Sequence, residues 1–127
     1  MVTAKHLMKQ DLAKIPYTAT ALDVAMVMKA RKIGSVFVEQ YGQIVGIVTE
    51  TDIVRDVVGA GRLPEITRAK DIMSTPVVGI DEHRPITEAA DLMERHGIRH
   101  LAVLSGGAII GVLSVRDLLH PVAIDEF

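Results

Sequence analysis

The chain of 127 residues contains no cysteine and no tryptophan, and only two tyrosines and two phenylalanines. Without cysteine there is neither a disulfide framework nor a thiolate metal site, which suits a reducing compartment and sets the expectation of a cytoplasmic protein. With so few aromatics the stacking platform that single-stranded nucleic acid needs is missing. Lysine and arginine are scattered and the formal net charge is -2, so no basic stripe marks a nucleic-acid footprint. No apolar run approaches the roughly 20 residues that would span a bilayer. Residues Met1 to Gln10 lack the apolar stretch and cleavage pattern of a signal peptide. The expectations are therefore no membrane and no nucleic acid as partner.

Apolar residues, by contrast, make up 49% of the chain, so a core must be built from Val, Ile, Leu, Met and Ala. The chain also repeats. Shifted by 65 positions, it matches itself without gaps. Ala4, Lys5 and Met8 meet Ala69, Lys70 and Met73; Ala25 and Met28 meet Ala90 and Met93; Gly42, Gly46 and Asp52 meet Gly107, Gly111 and Asp117.

Each copy reads as β-α-β-β-α, opened by a short helical turn near Lys5–Met8 or Lys70–Met73. The spacing predicts extended stretches at Leu12–Pro16 and Val77–Ile80, then helices over Thr20–Arg31 and Pro85–His96. On the second helix Ile86, Ala89, Ala90 and Met93 form the apolar face. Pro85 suits the first helical turn, where its missing N–H is harmless. Hairpins follow around Gln40-Tyr41-Gly42 and Ser105-Gly106-Gly107. A last helix opens at Thr49 or Ser114, both N-cap residue types. The organisation expected is a first repeat at 1–58, a linker at 59–68, a second repeat at 69–122 and a tail at 123–127. Two such units would pack sheet to sheet with helices outside, giving an α/β (α+β) pseudo-twofold pair.

Three motifs occur twice. The first is Asp71-Ile72-Met73, altered to His6-Leu7-Met8. The second is Gly97-Ile98-Arg99-His100-Leu101-Ala102-Val103, with Lys32-Ile33-Gly34-Ser35-Val36-Phe37-Val38 as its counterpart. The third is Gly111-Val112-Leu113-Ser114-Val115-Arg116-Asp117, matched by Gly46-Ile47-Val48-Thr49-Glu50-Thr51-Asp52. On these motifs the sequence, from about residue 2 to 122, resembles a tandem pair of CBS domains, the Bateman module. The resemblance implies a regulatory module that binds an adenosine-containing ligand: AMP, ADP, ATP or S-adenosylmethionine. It implies no required cofactor beyond that nucleotide. It also implies a homodimer, because four repeats assemble as a disc, and a regulated protein partner.

The residues themselves give the closing motif a physical reading. Thr49 with Asp52, and Ser114 with Asp117, place a hydroxyl and a carboxylate one helical turn apart. The carboxylate can accept hydrogen bonds from both ribose hydroxyls, and the hydroxyl with the first helical N–H groups can meet a phosphate. The competing reading is a capping box and nothing more. Arg99, His100 and Arg116 would neutralise a phosphate at the second copy, while Gly34, Ser35 and Thr51 occupy the matching places in the first. Unequal sites are the expectation. For the adenine slot the resemblance points to Thr75, Pro76, Val77 and Val78 with Ile98, and to Lys9 to Ala13 with Ile33; ordinary core packing is the alternative for each of these apolar residues.

The first-copy helix is more apolar than one buried face requires, with Leu22, Val24, Met26, Val27 and Met28 in one run. Met26 stands where the second copy has Asp91, which marks the surplus as an interface signal. No catalytic residues are expected. There is no nucleophile–base pair and no P-loop; of His6, His83, His96, His100 and His120, only His96 and His100 are four apart, and Gly97 between them marks an expected helix end, so a zinc pair is not expected. A structural dimerisation module with vestigial pockets is the rival to the sensor.

Overall fold

A computed structural model describes residues 1–119; His120 and the tail at 123–127 lie outside the described residues. The elements follow in the order α1 (Ala4–Leu7), β1 (Lys14–Pro16), α2 (Ala21–Arg31), β2 (Ser35–Gln40), β3 (Gln43–Thr49) and α3 (Glu50–Asp52). The last of these runs on as a π-helical stretch, Ile53–Val58. The second series is α4 (Ala69–Ile72), β4 (Gly79–Asp81), α5 (Ile86–His96), β5 (His100–Ser105), β6 (Ala108–Ser114) and α6 (Val115–Leu118). The mixed α/β character expected from the sequence is what the chain adopts.

The two sheets have the same topology. In each, a short strand pairs in parallel with the first arm of a hairpin, giving the orders β1-β2-β3 and β4-β5-β6. The hairpin turns place Tyr41 and Gly42, and Gly106 and Gly107, at positive φ. That is what a two-residue turn needs if it is to follow the right-handed twist of its strands. Each hairpin also shifts register once, between Val38 and Glu39 and between Val103 and Leu104. The bulge falls just ahead of Gly46 and Gly111, and bends each strand where its glycine is approached.

The chain divides into two compact units, and these are not the sequence repeats. Among the described residues, one comprises 13–77; the other comprises 1–12 together with 78–119. The opening segment of each copy therefore joins the body of the other. The reason lies at the sheet edges. Strands β3 and β6 each present unpaired backbone groups, and an unpaired edge must be satisfied. Ser74 exchanges both backbone hydrogen bonds with Ile47, at 2.8 and 3.1 Å, and Lys9 does the same with Val112, at 2.9 and 3.0 Å. Ile47 and Val112 are themselves 65 positions apart, so the exchange obeys the internal symmetry.

Glycine makes room for this crossing. A Cβ placed on Gly46 would lie 2.5 Å from Met73 Sδ, and one on Gly111 would lie 2.5 Å from Met8 Sδ. The glycine of the closing motif and the methionine of the opening motif thus form one contact, made between copies of the repeat rather than within one. Around it, Val24, Val36, Val38, Val48, Val57 and Ile72 form the core of one unit. Ala4, Ile80, Ala89, Met93, Leu101, Val103 and Leu113 form that of the other.

Two expectations for α5 need correction. Pro85 is the N-cap residue, with ψ 150°, and not part of the first turn; helical geometry begins at Ile86. Ala90 is exposed, whereas Leu92 packs against the core. The apolar face turns toward the sheet through Ala89, Leu92 and Met93, so Ala90 falls beyond its rim.

Candidate ligand-binding site

The hydroxyl–carboxylate pairs are built identically in the two units. Thr49 caps α3 from an extended conformation, and its Oγ1 accepts the Asp52 N–H at 3.4 Å. In return Asp52 Oδ2 accepts from the Thr49 backbone N–H at 2.9 Å and from Thr49 Oγ1 at 3.2 Å. Ser114 and Asp117 repeat this at the start of α6, with 3.3, 2.9 and 3.0 Å for the same three contacts. Asp52 is 2% exposed and Asp117 6%. Both carboxylates are far more buried than aspartate usually is. The capping box is therefore real in both copies, and it orients a buried carboxylate by one of its two oxygens.

The other oxygen is served differently. Asp52 Oδ1 accepts from Arg55 Nη2 at 3.3 Å and from Ser74 Oγ at 3.2 Å. Asp117 Oδ1 faces Lys9 Nζ at 3.8 Å. Ser74 and Lys9 arrive here because of the backbone exchange with β3 and β6. Neither residue was singled out for this position by the sequence. The available signal was that both follow the opening methionine in register, but a register within one strand of sequence does not reveal a crossing.

Arg99 and Arg116 are exposed and form no ion pair with Asp117 among the described residues. The Arg99 carbonyl instead accepts the Val115 N–H at 2.9 Å, which ties the start of β5 to α6. Arg99 and Ile98 line an open groove with Ala90, Met93, Gly97, Val115 and Leu118. His100 is half-buried at the start of β5, opposite Ser114.

The residues expected at an adenine slot divide between the units. Thr75, Pro76 and Val77 belong to the unit that holds Ile33 and Asp52, and Val78 to the unit that holds Ile98 and Asp117. Thr75 and Pro76 are exposed next to Ser74. Val78 and Ile98 pack against one core and Ile33 against the other. Ser74, in the opening stretch of the second copy, thus meets the carboxylate of the first, and Lys9 faces that of the second, whereas Ala13 is buried in the core of the unit that holds Asp52.

Two CBS domains match this chain, over residues 4–59 and 69–123. The chain belongs to the CBS domain family. Among its solved structural neighbours is a protein with CBS domains from Burkholderia ambifaria, at 31% identity and a TM-score of 0.94, covering 99% of this chain and 97% of that one. The hexameric CBS-CP12 protein of bloom-forming cyanobacteria aligns at 32% identity and a TM-score of 0.88, over 99% of this chain and 74% of that one. The CBS domain-containing protein YhcV of Bacillus subtilis is 27% identical over 118 residues, 93% of this chain and 84% of that protein. An uncharacterized protein of Methanopyrus kandleri is 36% identical over 120 residues. The chain spans only 61% of that relative's length, and 60% of a 17.7 kDa protein of Acidianus ambivalens. Among the described residues no helix is long and apolar enough to cross a membrane, and no three His, Asp or Glu side chains converge on a metal position.

Proposed function

We propose that this CBS pair is a non-catalytic sensor of an adenosine-containing ligand, with Asp52 and Asp117 as the carboxylates that take the ribose diol. The observation that carries the reading is the twice-built buried carboxylate, pinned through Oδ2 by its own helix cap. A buried aspartate whose only purpose was to cap a helix would gain nothing from burial, because an exposed cap satisfies the same N–H group. Thr75, Pro76 and Val77 lie in the unit of Asp52, and Lys9 to Leu12 in that of Asp117; these stretches would border the adenine. Arg99, His100 and Arg116 remain the proposed phosphate partners; occupation of the site would require Arg99 and Arg116 to swing from their exposed positions. Such a switch needs a ligand that favours one arrangement over the other.

The test is calorimetry of the full chain with AMP, ATP and S-adenosylmethionine, together with mass spectrometry of ligand retained on purification. Binding that is lost in the Asp52→Ala, Asp117→Ala double variant supports the sensor. No binding at millimolar ligand leaves the structural dimerisation module as the better reading.

A homodimer belongs to the same proposal. Leu22 and Met26 on α2 are 40% and 59% exposed, and Val54 and Val58 on the neighbouring helix 65% and 70%. Each pair is spaced by four residues and so forms a stripe on its helix. A second copy is the partner proposed for this face.

A further inference from the structure

We propose that the residue after the opening methionine sets the affinity of each site: Ser74 latches Asp52 closed, whereas Lys9 leaves Asp117 open to a ribose. This inference rests on the ribose-binding reading of the two aspartates and deepens it.

A carboxylate offers about four lone-pair positions. At Asp52 all are in use. Oδ2 accepts from Thr49 N–H at 2.9 Å and Thr49 Oγ1 at 3.2 Å, while Oδ1 accepts from Arg55 Nη2 at 3.3 Å. The Ser74 hydroxyl lies 3.2 Å from Oδ1 and 3.4 Å from Oδ2, so its one hydrogen takes the remaining place. At Asp117 only Oδ2 is so engaged among the described residues, by Ser114 N–H at 2.9 Å and Ser114 Oγ at 3.0 Å. Oδ1 has the Lys9 ammonium at 3.8 Å, an ion pair beyond hydrogen-bond length, on a side chain 68% exposed.

A ribose diol arriving at the two sites therefore meets different work. At Asp117 it meets an Oδ1 that holds no hydrogen bond among the described residues, and the long lysine stem can yield while its charge stays near the ligand's anionic end. At Asp52 it must break the Ser74 hydrogen bond, the Arg55 hydrogen bond, or both, to form its own. Exchanging one protein hydrogen bond for another leaves little net gain. The inequality of the sites is thus set by a residue that the chain carries across from the other copy of the repeat.

Calorimetry of the full chain with AMP, ATP and S-adenosylmethionine reads this directly, since all three present a ribose diol. The wild-type chain is expected to fill one site at least about tenfold more tightly than the other, the size of one hydrogen bond to a charged group. Asp117→Asn should remove the tighter site. Ser74→Ala should tighten the weaker site by about tenfold and leave the tighter one unchanged. Lys9→Ser, which installs the latch opposite Asp117, should weaken the tighter site by a similar factor. The backbone exchange of Ser74 with Ile47 and of Lys9 with Val112 uses no side-chain atom, so both variants keep the fold; a retained cooperative thermal transition confirms it. Two wild-type sites of equal affinity, or a weaker site indifferent to Ser74→Ala, overturn the latch while leaving the ribose reading standing. An equal gain in Ser74→Ala with the 2′,3′-dideoxy form of AMP also overturns it, because the competing hydroxyls are then absent. Failure of all three ligands to bind the wild-type chain overturns the ribose reading itself, and the latch with it.

Discussion

At the scale of single residues, the meeting of Gly46 with Met73 and of Gly111 with Met8 is the contact on which most else depends. A methyl group at Gly46 would also stand 3.1 Å from Met73 Cβ, so a rotation about the side chain does not relieve it. Gly46→Ala is expected to destabilise the fold by about 1–3 kcal/mol, the usual cost of overpacking. Chemical denaturation measures it. Adding Met73→Ala should restore part of the loss, and the coupling in that double-mutant cycle would identify the methionine as the obstacle. A wholly additive pair would instead place the strain elsewhere. A smaller effect belongs to Asp23, whose carboxyl is held below its ordinary range, first by the Thr20 backbone N–H and then by the Thr20 hydroxyl. A depressed folded-state value means that the stabilisation is present above the unfolded-state value and fades as pH falls through the folded one. NMR titration of Asp23 should show that lowered midpoint, and Thr20→Ala should move it back toward the ordinary range.

At the scale of elements, α2 and α5 end in the same way with different residues. Each last turn is closed by a left-handed residue: Gly97 at φ 63° after α5, and Lys32 at φ 55° after α2. The following residue then bonds back into the helix, Ile98 to Met93 at 2.9 Å and Ile33 to Met28 at 3.1 Å. Glycine takes this conformation without steric cost, whereas a residue with a Cβ is strained there. Lys32→Gly is thus expected to stabilise the chain by roughly 0.5–1 kcal/mol, read as a rise in thermal midpoint. An unchanged or lower midpoint would show that the side chain of Lys32 contributes more than its backbone loses. The helices were legible in the sequence because their apolar spacing and capping residues agree. Their buried faces were less so: Ala90, expected on the apolar face, is exposed, and Leu92 packs on the core, since a small residue at the rim of an apolar face fits either side of the boundary.

At the scale of the molecule, the exposed apolar stripes on α2 and on the π-helical stretch belong to one unit of the two. Their counterpart in α5 carries Asp91 where α2 carries Met26. If the face pairs with a second copy, Met26→Asp should shift the chain from dimer to monomer in sedimentation velocity, with little change in the fold, because the side chain is already exposed. A monomeric wild-type chain would remove the homodimer from the proposal.

The sequence by itself determined the duplicated α/β architecture, the two hairpins and the two capped carboxylates. These follow from local rules: apolar periodicity, turn residues at fixed places, and a hydroxyl three residues before an acid. Tertiary structure alone decided which copy of the opening motif serves which carboxylate. Ser74 lies 22 residues from Asp52 and Lys9 lies 108 from Asp117, and both crossings come from unpaired strand edges that the opening segment of the other copy satisfies. Repetition in a sequence shows that two parts are alike. It does not show which parts touch, because an edge strand can be completed equally well, in hydrogen-bonding terms, by either copy of the same segment.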